Sequence, residues 1–397
     1  MNVTVHKGSD QIGGSIIEVS SGKTRILLDA GLELDADDDA PLPDVNGLFD
    51  NPAYDAVFFS HNHLDHIGLA QAIHPDIPLF LGKQALSVMQ SMTAYLGKPL
   101  GFSCQTYQLG VPIFIGDLKV TPYLVDHSAF DSYMLLVECE SKTLFYSGDF
   151  RATGRKPFEN TLNGLPKQVD VLICEGTNLG SEKKSSITEM ELEEQAVELF
   201  RSRKGPIFVL QAATNIDRLV TMYRAAKRSG HVFFEDLFVA EIALAATHSI
   251  PNPSFDDVRV FLDRYYDESH PRYQMFDKYG IKKIGRNEMA AQKFLLCIRA
   301  SMGGLLRSLA EKMSFDDGLL IYSTWNGYRA KPEMDRFLKL GKQLGLQDAT
   351  IHNSGHADIA TIKELVSRVN PKRIIPIHTE NADWWQREYH EFVFANS

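Results

Sequence analysis

The sequence is poor in cysteine and contains no Cys-x-x-Cys pair. Its four cysteines, Cys104, Cys139, Cys174 and Cys297, are spread over a chain of 397 residues. Three of them lie in or beside apolar runs, so we expect buried free thiols rather than a framework of disulfides. The spacing also excludes a site built from clustered cysteines, and any metal must be held by histidine and carboxylate side chains.

Long apolar runs are missing as well. No stretch approaches the roughly 20 apolar residues that cross a bilayer as a helix. The N-terminal residues, MNVTVHKGSDQIGG, lack the apolar core of a signal peptide. These two absences predict a cytoplasmic protein without a membrane partner.

Positive charge is the third shortage. Lys and Arg number 41 against 51 Asp and Glu, and the formal net charge is −10. This balance argues against a surface that attracts nucleic acid everywhere. Two local features remain open to interpretation. The cations Arg218, Arg224, Lys227 and Arg228 form either a phosphate track or a solvated helix face, and the aromatic residues between 255 and 280 either stack bases or fill a core.

The pattern of secondary structure changes near residue 186. Residues 1–185 predict strand after strand, joined by glycine-containing turns. A capping box of Ser186 and Glu189 then opens a helix, and short apolar strands such as PIFVLQ alternate with amphipathic helices. This alternation predicts an α/β unit with a parallel sheet. A chain of this length predicts two domains, or one domain with a large insertion.

The segment HNHLDH contains the strongest signal for chemistry. It places His61, His63, Asp65 and His66 within six positions, directly after a short apolar strand. A chance match to this pattern is expected in about one of 500 chains of this composition. Imidazole and carboxylate suit zinc or manganese, and four donors exceed what one open metal site takes from one loop. The segment therefore predicts a site for two metal ions.

Three further donors follow apolar strands elsewhere in the chain. His127 follows KVTPYLVD, Asp149 follows TLFYSG, and His378 follows RIIPI. Gly148, directly before Asp149, allows a close approach of the backbone. A rigid sheet positions side chains well at its strand ends, so we expect these three to complete the set of ligands.

This set of residues, in this order, resembles the metallo-β-lactamase fold, and the LLDAG segment around Asp29 looks like one of its opening strands. Glu175 in LICEGTN, His356 in NSGHAD and His378 in IPIHTE resemble the extra motifs of the β-CASP branch, whose nucleases include ribonuclease J. The resemblance implies an αββα metallo-β-lactamase sandwich with an inserted α/β cap. The core would comprise residues 1–185 and 350–397, and the cap residues 186–349.

The resemblance also implies roles for individual residues. His61, His63 and His127 would hold one metal, Asp65, His66 and His378 the second, with Asp149 bridging both. Asp29 would steady the ligand loop. The two ions, zinc or else manganese, would generate a bridging hydroxide that attacks phosphorus. His356, oriented by Glu175, would protonate the leaving oxygen or hold a phosphate oxygen. The catalytic residues would be Asp65, Glu175 and His356, and the phosphate would bind at Ser354, Gly355 and His356.

We therefore expect a metal-dependent ribonuclease acting on single-stranded RNA, with a homodimer implied by the resemblance. Three alternatives stay open. The same site could cleave DNA or another phosphodiester, because nothing in the sequence selects a 2′-hydroxyl. It could hydrolyse a thioester or lactone, although Glu175 and His356 would then have no role. An inactive partner subunit is the last alternative, but such a subunit should have lost ligands. Exonuclease and endonuclease action are not distinguished.

Overall fold

The computed structural model describes residues 1–34, 36, 40–140, 142–180 and 187–392. It divides into two compact units. The first unit comprises Met1–Gln90, Pro99–Ser186 and Gly355–Ser397, and the second comprises Ser91–Lys98 and Ile187–Ser354. The predicted domain boundaries at 185/186 and 349/350 stay a prediction.

Strands and helices are numbered in chain order over the described residues. The strands are β1 (Asn2–Lys7), β2 (Ile16–Ser21), β3 (Thr24–Ala30), β4 (Ala56–Phe58), β5 (Leu79–Gly82), β6 (Gln105–Tyr107), β7 (Ile113–Ile115), β8 (Leu118–Val125), β9 (Ser132–Cys139), β10 (Lys142–Tyr146), β11 (Val171–Glu175), β12 (Ile207–Leu210), β13 (Val232–Asp236), β14 (Val258–Phe261), β15 (Lys283–Ile284), β16 (Phe294–Ile298), β17 (Leu319–Tyr322), β18 (Gln347–Thr350) and β19 (Arg373–Ile377). The helices are α1 (Leu64–Ile67), α2 (Lys83–Leu96), α3 (Phe158–Gly164), α4 (Glu189–Arg201), α5 (Ile216–Arg228), α6 (Leu237–Ala246), α7 (Pro271–Asp277), α8 (Arg286–Ala290), α9 (Gly303–Ala310), α10 (Pro332–Gln343), α11 (Ile359–Val369) and α12 (Ala382–Glu388). Short 3₁₀ turns cover Gly280–Lys282, Ala300–Met302 and Asn326–Ala330.

The described part of the first unit contains two six-stranded sheets. One has the order β1-β2-β3-β4-β5-β6 and the other the order β19-β11-β10-β9-β8-β7. Antiparallel hairpins form the outer part of each sheet, whereas β3, β4, β5 and β6 pair in parallel, as do β10, β11 and β19. In each parallel group the carboxyl ends of the strands therefore lie at the same edge.

Consecutive strand residues point to opposite faces, and both faces of each sheet are buried. Ile26 and Leu28 of β3 pack into the cluster between the two sheets, together with Leu135 of β9. Leu27, between them, packs on the other face with residues of α1 and α2. Leu136 likewise packs on the outer face of the second sheet, against α3, α11 and α12. Helices thus cover both outer faces, and the predicted αββα sandwich is confirmed.

The second unit contains one seven-stranded sheet in its described residues, with the order β15-β14-β13-β16-β12-β17-β18. Every neighbouring pair in it is parallel. The neighbouring strands β16, β12 and β17 are short and apolar, for example FLLCI in β16, as expected where helices cover both faces. The predicted α/β cap with a parallel sheet is confirmed.

Helix α4 begins differently from its prediction. Ser186 lies outside the described residues, and the helix opens instead with a capping box of Thr188 and Glu191. The Thr188 side chain accepts from the Glu191 backbone, and the Glu191 carboxylate accepts from the Thr188 backbone N–H at 2.8 Å. Either Ser or Thr satisfies this motif, so the sequence contains two candidate capping boxes, Ser186 with Glu189 and Thr188 with Glu191, that differ in position by two residues.

Two further expectations concern the whole chain. All four cysteines are free; Cys104 is partly buried, and Cys139, Cys174 and Cys297 are buried. Among the described residues, no helix combines the length and the apolar character that crossing a membrane requires.

A buried ion pair joins α4 to α5 within the second unit. Arg218 Nη2 donates to Glu189 Oε1 at 2.8 Å, and both side chains are fully buried. Arg218 also donates to the Ile351 carbonyl oxygen at 2.9 Å and to Asn353 Oδ1 at 2.8 Å. One residue of α5 thereby connects two helices to the segment that follows β18.

We expect Glu189→Ala to lower the free energy of unfolding of the second unit by about 3–5 kcal/mol, because Arg218 would keep a buried charge without its carboxylate. The measurement is urea or calorimetric unfolding of the full chain. Glu194, on the same helix, pairs with Arg228 at the surface. Glu194→Ala is the matched control and should change little. Equal losses in the two variants would contradict the structural role of the buried pair.

Candidate metal centre

The loop that carries four of the predicted ligands begins where β4 ends. It continues into α1, whose first residue follows His63. The loop is held against the end of β3, because the Leu32 backbone N–H donates to the Leu64 carbonyl oxygen at 2.9 Å. A Cβ at Gly31 would overlap the carbonyl of Asp65, so the close approach of these two segments requires glycine at this position.

Three histidines form the first group of donors. Ligand atoms of His61, His63 and His127 lie within 4.8 Å of one another. The Nδ1 atom of His61 lies 3.0 Å from Ser60 Oγ, and Nδ1 of His127 lies 2.6 Å from the carbonyl oxygen of Gly355. Because Nδ1 is engaged in both rings, their Nε2 atoms are directed into the site.

Two carboxylates and two histidines form the second group. Asp65, His66, Asp149 and His378 also bring ligand atoms within 4.8 Å of one another. His66 Nε2 lies 3.1 Å from Asp149 Oδ2, and His378 Nε2 lies 3.2 Å from Asp65 Oδ2. The same Asp149 oxygen lies 3.8 Å from His61 Nε2, so Asp149 reaches both groups.

The position of Asp149 depends on the glycine before it. Gly148 has φ +50°, and a Cβ there would lie 2.9 Å from the Cβ of Ser60. Glycine therefore lets the chain turn sharply after β10 and place Asp149 beside the ligand loop. His378 takes the same left-handed conformation without being glycine, with φ +50°. Its backbone N–H donates to the Gly8 carbonyl oxygen at 2.6 Å, and its Nδ1 lies 2.7 Å from Thr177 Oγ1.

Several polar atoms at this site are buried without a hydrogen-bond partner. They are Nε2 of His61, Nε2 of His66 and both carboxylate oxygens of Asp149. Buried polar atoms in proteins are nearly always hydrogen-bonded, so atoms that converge without partners need another explanation. Imidazole nitrogen and carboxylate oxygen are the donors that zinc and manganese take. The donor set therefore fits a divalent metal.

The charges of these groups agree with that interpretation. Burial and the neighbouring imidazoles hold the pKa of His61 and of His127 well below the usual range, so both are neutral at pH 7. Burial disfavours the Asp149 carboxylate, but the surrounding histidines outweigh it and hold the pKa of Asp149 well below its usual value. Metal binding requires neutral imidazole and ionised carboxylate, and His61, His127 and Asp149 have these forms. Burial opposes the charge on His66, but the carboxylates of Asp149 and Asp29 raise its pKa well above the usual range, so His66 would release a proton on binding a metal.

Asp29 is the centre of the hydrogen bonds beneath the ligand loop. Its carboxylate accepts from the Ser60 backbone N–H at 2.6 Å and from Ser60 Oγ at 2.8 Å. It also lies 2.7 Å from His66 Nδ1 and accepts from the hydroxyl of Tyr146 at 2.5 Å. His66 is thereby held with Nε2 toward Asp149, and Ser60 in turn contacts His61.

Glu175 and His356 adjoin the second group. Glu175, at the end of β11, is fully buried and accepts from the Phe150 backbone N–H at 3.0 Å. His356 Nδ1 lies 3.2 Å from Glu175 Oε2 and 3.6 Å from Asp149 Oδ2. Burial opposes the charge on His356, but the carboxylates of Glu175 and Asp149 raise its pKa to about 9. His356 therefore carries a proton beside the metal centre at neutral pH.

The two remaining predicted residues have different surroundings. Ser354 is the last residue of the second unit, and Gly355 is the first residue of the returning part of the first unit. A Cβ at Gly355 would overlap Ser128 Oγ, so glycine is required where its carbonyl oxygen meets His127. Their predicted role in phosphate binding stays a prediction.

The sequence did not point to four of the residues that orient the site. Ser60, Tyr146, Thr177 and Asn178 contact the predicted residues from within or beside the same strands and loops. Asn178 Nδ2 donates to the His356 carbonyl oxygen at 3.0 Å, next to Thr177 in the EGTN segment. That segment attracted attention only through Glu175, and no local pattern marks a residue whose partner lies far away in the chain.

Comparison with known proteins identifies two domains in this chain. A beta-lactamase superfamily domain matches residues 24–211, and a Zn-dependent metallo-hydrolase RNA specificity domain matches residues 348–387. The second match contains Gly355, His356 and His378. A crystal structure of a protein of unknown function from Enterococcus faecalis covers 100% of this chain with a TM-score of 0.80 and 20% identity, which shows the fold.

Curated relatives extend the comparison over almost the whole chain. Ribonuclease J of Helicobacter pylori is 22% identical over 96% of this chain, and the chain spans 56% of that relative's length. Ribonuclease J of Mycobacterium tuberculosis is 21% identical over 95% of the chain and 68% of its own length. A probable RNase of Methanocaldococcus jannaschii is 22% identical and is covered over 93% of its length. With its αββα sandwich, its α/β cap and these matches, the chain contains a beta-lactamase superfamily domain and is similar to the ribonucleases J of the β-CASP branch.

Proposed function

We propose that the protein is a metal-dependent ribonuclease that hydrolyses phosphodiester bonds of single-stranded RNA at a centre for two divalent ions. One observation carries the proposal. Seven donor side chains converge in two groups, with Asp149 of the second group 3.8 Å from His61 of the first, and the Glu175–His356 pair adjoins them. Hydrolysis of an acyl compound would use the two groups of metal ligands but would leave Glu175 and His356 without a role. The presence of this pair therefore favours phosphodiester hydrolysis.

The two groups support an assignment of the ligands. His61, His63 and His127 would hold one ion, Asp65, His66 and His378 the other, and Asp149 both. Five imidazoles among the seven ligands favour zinc, and the carboxylates also admit manganese. Bound ions would supply an activated water and would offset the charge on the phosphate oxygens.

The protein's own groups complete the reaction. His356 carries a proton and adjoins the metal ligands, so it donates that proton to the leaving oxygen or holds a phosphate oxygen. Glu175 accepts backbone hydrogen bonds on both oxygens, and its Oε2 also contacts His356, which fixes the imidazole. Gly355 presents its carbonyl oxygen to His127, so its backbone N–H and the neighbouring Ser354 are the groups proposed for a phosphate.

RNA is the proposed substrate because of the relatives. The curated proteins that match nearly the whole chain are named as ribonucleases, and the domain at residues 348–387 is described as an RNA specificity domain. That domain includes His356 and His378. The residues at the metal centre do not by themselves select a 2′-hydroxyl, so the choice between RNA and DNA needs a direct measurement.

We expect purified protein to cleave RNA in the presence of zinc or of manganese, and Asp65→Ala/His66→Ala to lose that activity. The measurement uses 5′-monophosphorylated and 5′-triphosphorylated RNA of one sequence beside the matching DNA. Mononucleotides released from the 5′ end would indicate an exonuclease, and discrete internal fragments an endonuclease. Cleavage of DNA alone would replace the proposal with a DNA-directed phosphodiesterase. Failure to cut either would contradict it, and thioester and lactone substrates would be tested next.

We expect His356→Gln to lower kcat about 10²- to 10⁴-fold while metal content stays unchanged, because a proton donor is lost but no proposed ligand. Single-turnover cleavage of RNA and metal analysis of the same sample provide the two readouts. The matched control is His390→Ala, since the His390 side chain is 77% exposed. Loss of metal together with activity in His356→Gln would make His356 a ligand rather than a proton donor.

We expect Asp29→Asn to weaken metal binding roughly 10- to 100-fold, because the amide cannot accept all the hydrogen bonds that orient Ser60 and His66. Metal titration of the apo protein measures the change. Asp131 is a matched control: it is also buried and left-handed (φ +65°), and it accepts from the backbone N–H groups of Gln84 and Ala85. Asp131→Asn should lower stability and leave metal affinity intact. If both variants lose affinity equally, the effect is general destabilisation.

A further inference from the structure

The loop after β17 presents two aromatic side chains to solvent. Trp325 is 61% exposed and Tyr328 is 39% exposed, and their rings meet edge to face with centroids 5.3 Å apart. We call this pair the aromatic platform. The sequence has three tryptophans, and of the others Trp385 is fully buried and Trp384 packs against it. Large exposed aromatic surfaces on proteins commonly mark binding sites.

The loop is held in place although its rings are exposed. The hydroxyl of Tyr322, in β17, donates to the Trp325 carbonyl oxygen at 2.7 Å. The Tyr328 backbone N–H donates to the same carbonyl oxygen at 3.1 Å. The guanidinium of Arg329 lies 4.0 Å from the centre of the Tyr322 ring and donates to Thr350 Oγ1 at 2.8 Å. A loop fixed by so many contacts presents its rings at little further cost in entropy.

A glycine determines where the indole lies. A Cβ at Gly327 would overlap ring atoms of Trp325, so the indole packs directly on the Gly327 backbone. One side of the ring is covered in this way, and more than half of the side chain stays exposed. Any side chain at position 327 would displace the indole, so a substitution of Gly327 changes the position of the Trp325 ring while the ring itself is kept.

Two cationic side chains lie in the loop that carries the platform, in a chain whose net charge is −10. Residues 324–331, TWNGYRAK, contain Arg329 and Lys331 and no carboxylate. Lys331 Nζ lies 5.0 Å from the centre of the Tyr328 ring. Arg329 lies 3.4 Å from Asp348, which offsets part of its charge.

The four cations of α5 considered in the sequence also lie beside carboxylates. Arg218 pairs with Glu189, Lys227 with Asp257 at 2.8 Å, and Arg228 with Glu194 at 2.7 Å. Arg224 lies 3.8 Å from Glu193. Helix α5 is therefore a poor phosphate track.

The platform lies at the edge of the second unit's sheet where the carboxyl ends of its parallel strands meet. Strands β17 and β18 are parallel neighbours, with Tyr322 opposite Thr350. The loop with Trp325 leaves this edge from β17. The segment that leaves it from β18 runs through Ile351–Ser354 and continues directly into Gly355 and His356.

We propose that the aromatic platform, Trp325 and Tyr328, binds single-stranded nucleic acid by stacking on its unpaired bases. Every base has a π face, so the surface takes single strands of any sequence and rejects duplexes, whose bases are already stacked. The inference rests on the proposed function, because it specifies how a nuclease of this kind would bind a single-stranded substrate.

Binding is tested with the full chain carrying Asp65→Ala/His66→Ala, so that RNA is not cut. Single-stranded RNA of 12 to 16 nucleotides is titrated while tryptophan fluorescence is followed, with fluorescein-RNA anisotropy as a second readout. We expect the RNA to quench Trp325. Trp325→Ala should weaken binding roughly 5- to 100-fold, Gly327→Ala should weaken it as well, and Trp325→Phe should retain most of it. The duplex of the same sequence should neither quench nor compete.

The matched control is Phe114→Ala, since Phe114 is 70% exposed and lies in β7 of the first unit. RNA affinity should not change in that variant. Unchanged affinity in Trp325→Ala and Tyr328→Ala would overturn the inference. If these variants altered the sedimentation coefficient but not RNA affinity, the platform would be a contact between copies of this chain. That result would also overturn the inference.

Hydrolysis of bis(p-nitrophenyl) phosphate separates this inference from the proposed function. The reporter is too small to need the platform, so the otherwise unaltered chain should hydrolyse it equally well with and without Trp325→Ala. If the metal-loaded chain cleaves neither the reporter nor RNA but binds RNA through Trp325, the nuclease proposal fails and the platform stands. If the chain cleaves RNA and binds it equally well without Trp325, the platform fails and the nuclease proposal stands.

Discussion

The fold of the first unit is organised around one buried carboxylate. Asp149 has neither oxygen hydrogen-bonded, and it lies within 4 Å of ring nitrogens of His61, His66, His127 and His378. An ionised carboxylate that is removed from water is strongly unfavourable unless positive charge compensates it. His61 and His127 supply none of that charge, because burial keeps both unprotonated, whereas the carboxylates of Asp149 and Asp29 overcome burial and raise the pKa of His66 well above its usual range. A divalent cation would replace that proton as the compensating charge and would also use the neutral imidazoles, so the arrangement makes physical sense as a binding site rather than as a structural cluster.

That carboxylate constrains the backbone around it. The residues that bring the groups together stand where strands end, and several adopt the left-handed conformation: Asp29 at φ +60°, Gly148 at φ +50° and His378 at φ +50°. Non-glycine residues rarely adopt it, and such strain is concentrated at functional sites. The left-handed turn at Asp29 places one carboxylate within hydrogen-bonding distance of both Ser60 and His66. The turn at His378 allows its backbone N–H to donate to the Gly8 carbonyl oxygen. The parallel strands β10, β11 and β19 then deliver Asp149, Glu175 and His378 at one edge of a single sheet.

The sequence predicted the parts of this design that depend on local patterns. HNHLDH after an apolar run and lone polar residues after β8, β10 and β19 pointed to the donors, and the resemblance correctly predicted the sandwich and the cap. The sequence did not predict the residues that orient the donors, because those residues contact partners far away in the chain. Tyr146 donates to Asp29, which lies 117 positions earlier in the chain, and His127 meets the carbonyl oxygen of Gly355 at a separation of 228. Register was the other limit, since Thr188 and Ser186 both start plausible capping boxes.

The charge of the chain bears on how such a protein meets a polyanion. A net charge of −10 leaves two sources of attraction, cations bound at the metal centre and local positive surface. The second source is scarce, because carboxylates within the second unit offset the arginines and the lysine of α5. Where charge is weak, stacking becomes the larger contribution to binding a single strand, since it does not depend on phosphates and is little affected by salt. A surface with few free cations but a fixed, exposed indole is therefore suited to hold RNA without the broad electrostatic attraction that would also bind duplex DNA.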